Sequence, residues 1–562
     1  MSSLLLQIRG KFMFKRAFVA LGVLALSAIT ISSCSTDPNA RKDLQYYLSQ
    51  QVTWANCEKE LFIDSEQQSD IIKKSKPDCT TIMVPANYLG TADTPDFNIR
   101  MMRIHKAPAS KLMGTIFINP GGPGGSGIEQ LQWSNFPEEL LNHYNIIGFD
   151  PRGVGSSELS DGTQIKCSDT LDYRTYFEGE ASPANFEEYS ESIPLMDEYY
   201  NDCAERNPFW WTLSTTNVVQ DLDVMRQVIT GDADLNFIGT SYGTTIAGLY
   251  VATYPEHVGK IVLDSPTTVD SDPIASAVED YKALERKLNG YLDYYAAKAG
   301  ITPEKAWSNL LKFKQLADDD QLVGFAGIYP SPWDPDQMLS SESLLNRGIL
   351  ALNYYPEQTA KEEFAYAMQE LEENRSNAVF EYYAFQLDGY NPESLTGSSL
   401  EEKELERSNE FEIMTIVNSM DYSPDELTVE EQKEYAKRTQ AVAPKLYKLS
   451  IDSSGYRYYG EALGLDWEKI AEADDAIPDP PEEPLIRENK SGKKLLIVGS
   501  IDEAVTPYQF SKDTAELLKS PLISVESSVH GPAAGYNIAC LNKVLVEYFV
   551  DDIVPGDMTC KA

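Results

Sequence analysis

Histidine, positive charge and paired cysteine motifs are all scarce in this chain of 562 residues. It holds only four histidines, so a reaction that needs an imidazole base has few candidates for that base. Its 47 Lys and Arg side chains stand against 87 Asp and Glu, which argues against a nucleic acid partner because phosphates would be repelled. No CxxC pair and no cluster of Cys and His occurs, so we expect no metal site.

The apolar run near the start is too short to cross a membrane comfortably and has the layout of an export signal. Basic residues precede the run 17–30, and the run ends in Ile-Ser-Ser-Cys at Cys34, which resembles a bacterial lipobox. We therefore expect residues 1–34 to be a lipoprotein signal peptide and Cys34 to be lipidated. The mature protein would then be held on the bacterial cell envelope by a lipid anchor without spanning the membrane. Cleavage elsewhere, with secretion, is the alternative.

Six further cysteines are an even number in a chain that is expected to be exported. We predict disulfides between sequential cysteines because each of these pairs closes a short local loop, although the sequence alone allows other pairings. The predicted pairs are Cys57 with Cys79, Cys167 with Cys203, and Cys540 with Cys560.

The chain alternates apolar, strand-like runs with helical ones between residues 80 and 265, which is typical of an α/β sheet. Strand character returns after the Pro-rich stretch 477–484. We predict one mostly parallel, doubly wound sheet, formed by 35–267 and 481–562 and interrupted by an acidic helical cap at 268–480. The strand-like runs are 113–119, 144–149, 235–238, 260–263, 494–498 and 521–525.

Residues 237–248, FIGTSYGTTIAG, carry a Gly-x-Ser-x-Gly pattern centred on Ser241. The five residues alone prove little, but a strand-like run precedes them and an amphipathic helical stretch follows. A strand, a tight turn and a helix are what a nucleophile elbow needs, and the helix N-terminus favours developing negative charge. The sequence therefore predicts Ser241 as a nucleophile, with a Gly-rich turn of no catalytic role as the alternative.

A serine nucleophile needs a base and an acid that orients the base. Functional loops of a doubly wound sheet lie at the carboxyl ends of its strands. His530 alone among the histidines follows a strand-like run, so it is the predicted base. The acid should follow a late strand and precede the histidine. Asp502 is the preferred acid, and its neighbour Glu503 is the rival.

The third requirement is a pair of donors for an oxyanion. We expect the backbone N–H of Tyr242 to be one, because it follows the nucleophile. The glycine-rich stretch 119–127, Asn-Pro-Gly-Gly-Pro-Gly-Gly-Ser-Gly, should supply the other from Gly122 or, as second choice, Gly121. A phosphate cradle is the alternative, but neither Gly-Lys-Ser/Thr nor GxGxxG spacing occurs there, so no cofactor is expected.

These motifs, with Gly-Phe-Asp-Pro-Arg-Gly-Val-Gly at 148–155 and a late Thr-Pro-Tyr, together resemble the α/β-hydrolase exopeptidases. Within them the sequence is similar to the secreted tripeptidyl aminopeptidase branch, relatives of prolyl aminopeptidase, over about 50–270 and 485–560. The resemblance implies an α/β-hydrolase fold and release of short peptides from a free N-terminus through a serine acyl-enzyme. The family usually spaces its acid three residues before the Thr of Thr-Pro, which Glu503 meets and Asp502 does not.

The predicted cap is the more acidic part of the chain, with 41 acidic against 19 basic side chains in residues 271–480. Carboxylates in a lid could hold the α-ammonium group of a peptide, whose pKa is about 8, and block the rest of the chain from threading through. Asp421 is the first candidate to test for that role. The rival functions are a cell-envelope carboxylesterase or lipase with the same triad, and a binding protein without catalysis.

Overall fold

The computed structural model describes residues 43–65, 67–88, 95–167, 203–269, 272–319, 321–324, 341–387, 409–421, 429–449 and 486–562. The predicted signal peptide with Cys34 and the Pro-rich stretch 477–484 lie outside these ranges. Within them, no helix combines the length and the apolar character that a membrane crossing requires.

One sheet forms the centre of the described chain. Its strands are β1 Ala55–Asn56, β2 Asp78–Val84, β3 Phe97–Ile104, β4 Gly114–Asn119, β5 Tyr144–Phe149, β6 Glu158–Leu159, β7 Leu235–Thr240, β8 Val258–Asp264, β9 Leu496–Ser500, β10 Leu522–Glu526 and β11 Met558–Lys561. Their order is β1-β2-β3-β5-β4-β7-β8-β9-β10-β11, with β6 beside β3. Pairing is parallel from β5 through β11 and antiparallel among β1, β2, β3, β5 and β6. The mostly parallel sheet is as predicted.

Apolar residues on both faces of the strands explain why the sheet is buried between two layers of helices. Alternate residues of a strand point to opposite faces. Ile116, Ile118 and Ile238 pack into the core on one face, whereas Phe117 and Phe237 pack into the core on the other. Near-continuous apolar runs of this kind are typical of parallel strands covered on both sides.

Helices cover the sheet and form the insertion. They are α1 Leu44–Leu48, α2 Asp70–Lys74, α3 Gly127–Trp133, α4 Glu138–Leu141, α5 Thr215–Thr230, α6 Tyr242–Thr253, α7 Pro273–Ala299, α8 Pro303–Asp318, α9 Ser341–Ala351, α10 Glu357–Asn374, α11 Ala378–Leu387, α12 Glu410–Asp421, α13 Val429–Val442, α14 Pro444–Lys448, α15 Tyr508–Leu518, α16 Pro532–Gly535 and α17 Ala539–Phe549. Short 3₁₀ helices lie at Lys59–Leu61, Trp210–Leu213, Pro255–His257 and Leu352–Tyr354.

The helical insertion between β8 and β9 has two parts, one that packs on itself and one that packs on the sheet. Most of it has its own core, in which the ring of Phe364 lies 5.5 Å from that of Tyr291 and 5.8 Å from that of Phe380. Helix α12 is different, because its apolar side chains join the core of the sheet. These side chains are Ile413, Ile416, Val417 and Met420. The insertion is therefore held to the sheet layer by one of its own helices.

The three predicted disulfides are present: Cys57–Cys79, Cys167–Cys203 and Cys540–Cys560. The last one connects helix α17 to the edge strand β11, which pairs with β10. It therefore fixes the C-terminal segment next to the strand that precedes His530.

Candidate active site

The turn between β7 and α6 places Ser241 at the carboxyl end of the sheet. Ser241 has a backbone φ of 56°, which is unusual for a residue with a side chain, and its N–H donates to the carbonyl of Asp264 (3.0 Å). The flanking glycines allow this close turn. A β-carbon on Gly239 would collide with the carbonyl oxygen of Gly243, and one on Gly243 would lie 2.6 Å from the carbonyl oxygen of Asn119. The Gly-x-Ser-x-Gly pattern therefore forms the predicted strained elbow.

His530 follows β10 and lies at the same edge as Ser241. Its neighbour Gly531 contacts Thr240, the residue before Ser241, closely enough that a β-carbon on Gly531 would come 2.5 Å from Thr240 Cγ2. The side chain of His530 is mostly buried, with 16% of its surface exposed. The structure thus brings the predicted nucleophile and the predicted base to one site.

The carboxylate that contacts His530 is that of Glu503, so the preference for Asp502 as the acid was wrong in this structure. Glu503 Oε1 is hydrogen-bonded to His530 Nδ1, and the Glu503 side chain is 1% exposed. The Asp502 side chain is 56% exposed and instead lies 3.9 Å from Arg286 of the cap helix α7. Arg286 also donates to the backbone carbonyl of Glu503 (3.2 Å). The backbone turn after β9 directs the two neighbouring side chains to opposite sides.

Glu503 is held by several donors. Thr506 donates its N–H to Oε1 (3.3 Å), and the Thr506 hydroxyl lies 2.8 Å from the same oxygen. The hydroxyl of Ser265 donates to Oε2 (2.7 Å). A carboxylate fixed in this way can orient the imidazole and stabilise its charged form.

A second buried carboxyl group, that of Asp264, lies behind His530 at the end of β8. Its Oδ2 accepts N–H groups of Ala533 (2.9 Å) and Ala534 (3.3 Å) at the start of α16. Burial raises the pKa of Asp264 to about 7, and nearby Glu503 acts in the same direction. Burial alone would lower the pKa of His530, but the carboxylates of Glu503 and Asp264 outweigh it and raise that pKa above the usual value of 6.5.

The glycine-rich loop after β4 lies directly beside the elbow. A β-carbon on Gly121 would lie 2.7 Å from the backbone nitrogen of Tyr242 and 3.0 Å from Ser241 Cβ. The N–H of Gly121 donates to Asn119 Oδ1 (3.0 Å), so it is already in use. Gly122 is solvent-exposed, and its N–H has no hydrogen-bond partner among the described residues. The N–H of Gly122 is therefore available to a ligand, next to the glycine that contacts the elbow.

Two carboxyl groups border this loop. Glu410, the first residue of α12, has its Oε1 3.3 Å from the position that a β-carbon on Gly122 would take. Glu410 is accessible from solvent, but the surrounding protein excludes much of the water from its carboxyl group and raises its pKa to about 7, with a contribution from Glu129. The same loss of hydration raises the pKa of Glu129. Neither forms an ion pair with a described Lys or Arg.

Asp421, at the other end of α12, is buried and already has partners. Its Oδ1 accepts the N–H of Thr215 (3.3 Å), and its Oδ2 accepts the Thr215 hydroxyl, which also contacts the hydroxyl of Tyr242. Burial raises the pKa of Asp421 to about 7, although its bonds to Thr215 oppose that effect. Asp421 therefore serves to join α12 to the nucleophile elbow, and Glu410 is better placed than Asp421 to meet a substrate amine.

Comparisons with known proteins agree with this geometry. Residues 114–333 match the family described as alpha/beta hydrolase fold, and residues 465–560 match the family described as TAP-like protein. Serine protease Hip1 of Mycobacterium tuberculosis is 28% identical over 298 residues, covering 51% of this chain and 53% of that relative. Tripeptidyl aminopeptidase of Streptomyces lividans is 29% identical over 263 residues, covering 42% and 47%. The chain spans about half the length of these two relatives.

A third relative, carboxylesterase B of Mycobacterium tuberculosis, is 23% identical over 548 residues, and this match covers 95% of each chain. With the sheet order and the serine elbow, these matches indicate a serine hydrolase with the α/β-hydrolase fold. Within that fold the chain is similar to the tripeptidyl-aminopeptidase-like branch, as the sequence motifs indicated.

Several residues of the site were missed by sequence reasoning. Ser265 and Thr506 bind the acid, Glu410 borders the glycine-rich loop, and the ring of Tyr354 from the cap lies 6.2 Å from the imidazole of His530. The Thr-Pro motif was a usable signal for Thr506 and for Glu503. Glu410 and Tyr354 depend on how the insertion folds back, which no local pattern encodes, whereas Ser265 lies outside the insertion, directly after β8.

Proposed function

We propose that this protein is a serine aminopeptidase of the tripeptidyl-peptidase type, which releases short peptides from a free N-terminus. The observation that carries this proposal is the position of Glu410 and Glu129. Among the described residues these two carboxyl groups have no basic partner, and they lie beside the loop that faces Ser241. A cation bound beside Glu410 and Glu129 would lie a short distance from the scissile carbonyl. The α-ammonium group of a peptide substrate would take this position if the acyl portion were short.

In the proposed reaction, His530 takes the proton of Ser241 as the serine oxygen attacks the peptide carbonyl. Glu503 holds the imidazole by Nδ1 and stabilises its charged form. The N–H groups of Tyr242 and Gly122 stabilise the oxyanion, with Gly121 shaping the loop between them. His530 then protonates the leaving amine, and water releases the acyl peptide from the serine.

Glu410→Gln tests the proposed ammonium site. The variant should raise KM for a peptide amide with a free amine about 10- to 100-fold, the cost of losing a hydrogen bond between charged groups. It should leave turnover of a short amine-free ester within about threefold. For the unchanged protein, KM for the amine substrate should rise as the pH falls below about 7, because Glu410 becomes protonated.

The matched control is Glu373→Gln, an exposed carboxylate on α10 away from the loop, which should change neither substrate class. Equal KM changes for amine and amine-free substrates in Glu410→Gln would contradict an ammonium site. Loss of all activity after blocking the substrate amine would support aminopeptidase specificity.

A carboxylesterase is the second candidate, favoured by the relative named carboxylesterase B that matches over 95% of its length. The same serine, histidine and acid would serve both reactions. Comparing kcat/KM for tripeptidyl amides with that for short acyl esters separates the two. If kcat/KM for a short acyl ester does not change when the acyl portion carries a free amine, the enzyme is an esterase.

We further propose that the protein is exported and attached to the cell envelope by a lipid on Cys34. Three disulfides support export, because such bonds persist in oxidising compartments. Mass spectrometry of the mature N-terminus should show a diacylated Cys34, and Cys34→Ala should abolish that modification. An unmodified N-terminus at another residue would point to secretion.

A further inference from the structure

Ser265, the residue after β8, combines a strained backbone with a fully buried side chain. Its φ of 55° lies in the left-handed region that favours glycine. The backbone N–H of Ser265 donates to the carbonyl of Val498 on β9 (2.9 Å), so the conformation is fixed by the neighbouring strand. Strained positions of this kind are kept only where the surrounding structure requires them.

The hydroxyl of Ser265 joins the two loops that carry the acid and the base. It donates to Glu503 Oε2 (2.7 Å) and accepts the N–H of Gly531 (3.0 Å), the residue next to His530. The carbonyl oxygen of Ser265 lies 3.2 Å from the hydroxyl of Thr506. A single side chain thus contacts Glu503 and the residue that follows His530.

This contact matters because the acid is a glutamate. A glutamate side chain has one more rotatable bond than an aspartate, so its carboxylate has more orientations available. Thr506 and His530 bind Oε1, and Ser265 supplies the side-chain hydrogen bond to Oε2. Without that bond, the carboxylate can rotate about its terminal bond and lose its alignment with the imidazole.

We propose that Ser265 is a positioning residue, whose hydroxyl fixes Glu503 and the His530 loop in the arrangement that activates Ser241. This inference rests on the proposed serine hydrolase reaction. The unfavourable backbone is retained because glycine, which would relieve the strain, cannot supply the hydroxyl.

Two variants separate the hydroxyl from the backbone strain. Ser265→Gly and Ser265→Ala both lack the hydroxyl, so both should lower kcat about 10- to 100-fold with little change in KM. Only Ser265→Gly relieves the strain, so its Tm should exceed that of Ser265→Ala. The control is Lys519→Gly, which removes a side chain at a similar φ of 50° on the exposed end of α15 and should leave kcat unchanged.

The loss of rate caused by Ser265→Gly should vanish when Glu503 is absent. In a Glu503→Ala background, Ser265→Gly should change the rate of acylation by an activated ester less than about twofold. An equal loss in both backgrounds would overturn the proposal, because Ser265 would then act elsewhere. Retention of full kcat by Ser265→Gly would overturn it as well.

A spectroscopic measurement keeps this test separate from the activity itself. With ¹⁵N-labelled histidine, the Nδ1–H signal of His530 reports its hydrogen bond to Glu503, and only four histidines contribute signals. The signal should shift or broaden in Ser265→Gly and not in Lys519→Gly. An unchanged signal would overturn the positioning role, whereas an inert wild-type protein with a shifted signal would count only against the proposed reaction.

Discussion

Glu503 and Asp502 are adjacent residues whose side chains lie in opposite environments. The first is buried among His530, Thr506 and Ser265, and the second is largely exposed next to a cap arginine. A charge in the first environment acts on the imidazole at short range. A charge in the second is screened by water.

Substitution of the two acids should therefore have very different effects. Glu503→Gln keeps the shape of the side chain but cannot stabilise the imidazolium, so kcat should fall about 10³- to 10⁴-fold. Asp502→Asn is the matched control and should keep kcat within about threefold, because its side chain is 56% exposed. Steady-state turnover of an activated ester measures both. A larger loss for Asp502→Asn would reverse the assignment of the acid.

The nucleophile and the base could be predicted from the sequence because both depend on local patterns. Ser241 follows a strand within a glycine-flanked turn, and His530 is the histidine that follows a strand. The acid could not be settled in this way, because strand position does not determine which of two consecutive side chains turns inward. The spacing to Thr506 held that information, since the Thr506 hydroxyl bonds to the acid itself.

At the scale of elements, helix α12 connects the insertion to the sheet. Its apolar residues pack in the core of the sheet, and polar contacts fix both of its ends. Asn409, just before the helix, donates to the carbonyl of Gly153 (2.6 Å) and accepts the N–H of Gly155 (3.1 Å). Asp421, its last residue, binds Thr215 at the start of α5. Because Glu410 is on this helix, the way in which α12 packs on the sheet sets the distance between the proposed ammonium site and Ser241.

Thr215→Val should weaken this docking. The valine keeps the shape of threonine but removes a hydroxyl donor to the buried Asp421, so the free energy of unfolding should fall by about 2 kcal/mol. Urea unfolding measures the change, and KM for an amine substrate should rise with it. Thr216→Val, at the exposed neighbouring position, should stay within about 0.5 kcal/mol. Equal effects for the two variants would show that the Asp421 contact does not hold the helix.

The packing of α12 against the sheet, and not with the other cap helices, could not be predicted from the sequence. Acidic, helix-rich composition identified the insertion as a whole, and its main helices do form their own core. The apolar residues of α12 have the same helical spacing as those of the other cap helices. Only the three-dimensional packing decides that they face the sheet.

At the scale of the whole molecule, acidity affects stability as well as function. The formal charge is −40, so like charges repel one another in the folded state at neutral pH. Burial raises the pKa of Asp150 to about 6 and the pKa values of Asp264 and Asp421 to about 7. The fold therefore holds several carboxyl groups that are easier to accommodate when protonated.

This arrangement predicts that the protein is more stable in mild acid than at slightly alkaline pH. A carboxyl group whose pKa is raised in the folded state binds its proton more tightly there than in the unfolded chain. The free energy of unfolding therefore falls as the pH rises from about 4 to about 7. The raised pKa of His530 acts in the same direction. Exposed acids with lowered pKa values, such as Asp70 and Asp232, lose their contribution only below about pH 5.

Thermal unfolding at constant ionic strength should show Tm falling by on the order of 5 °C between pH 5 and pH 8. Asp421→Asn removes one of the titrating groups while keeping an oxygen that can accept from Thr215, so its Tm should depend less steeply on pH. Asp502→Asn, at an exposed site, should follow the slope of the wild type. If Tm instead rises across this range, the buried carboxyl groups must be ionised in the folded state at little cost.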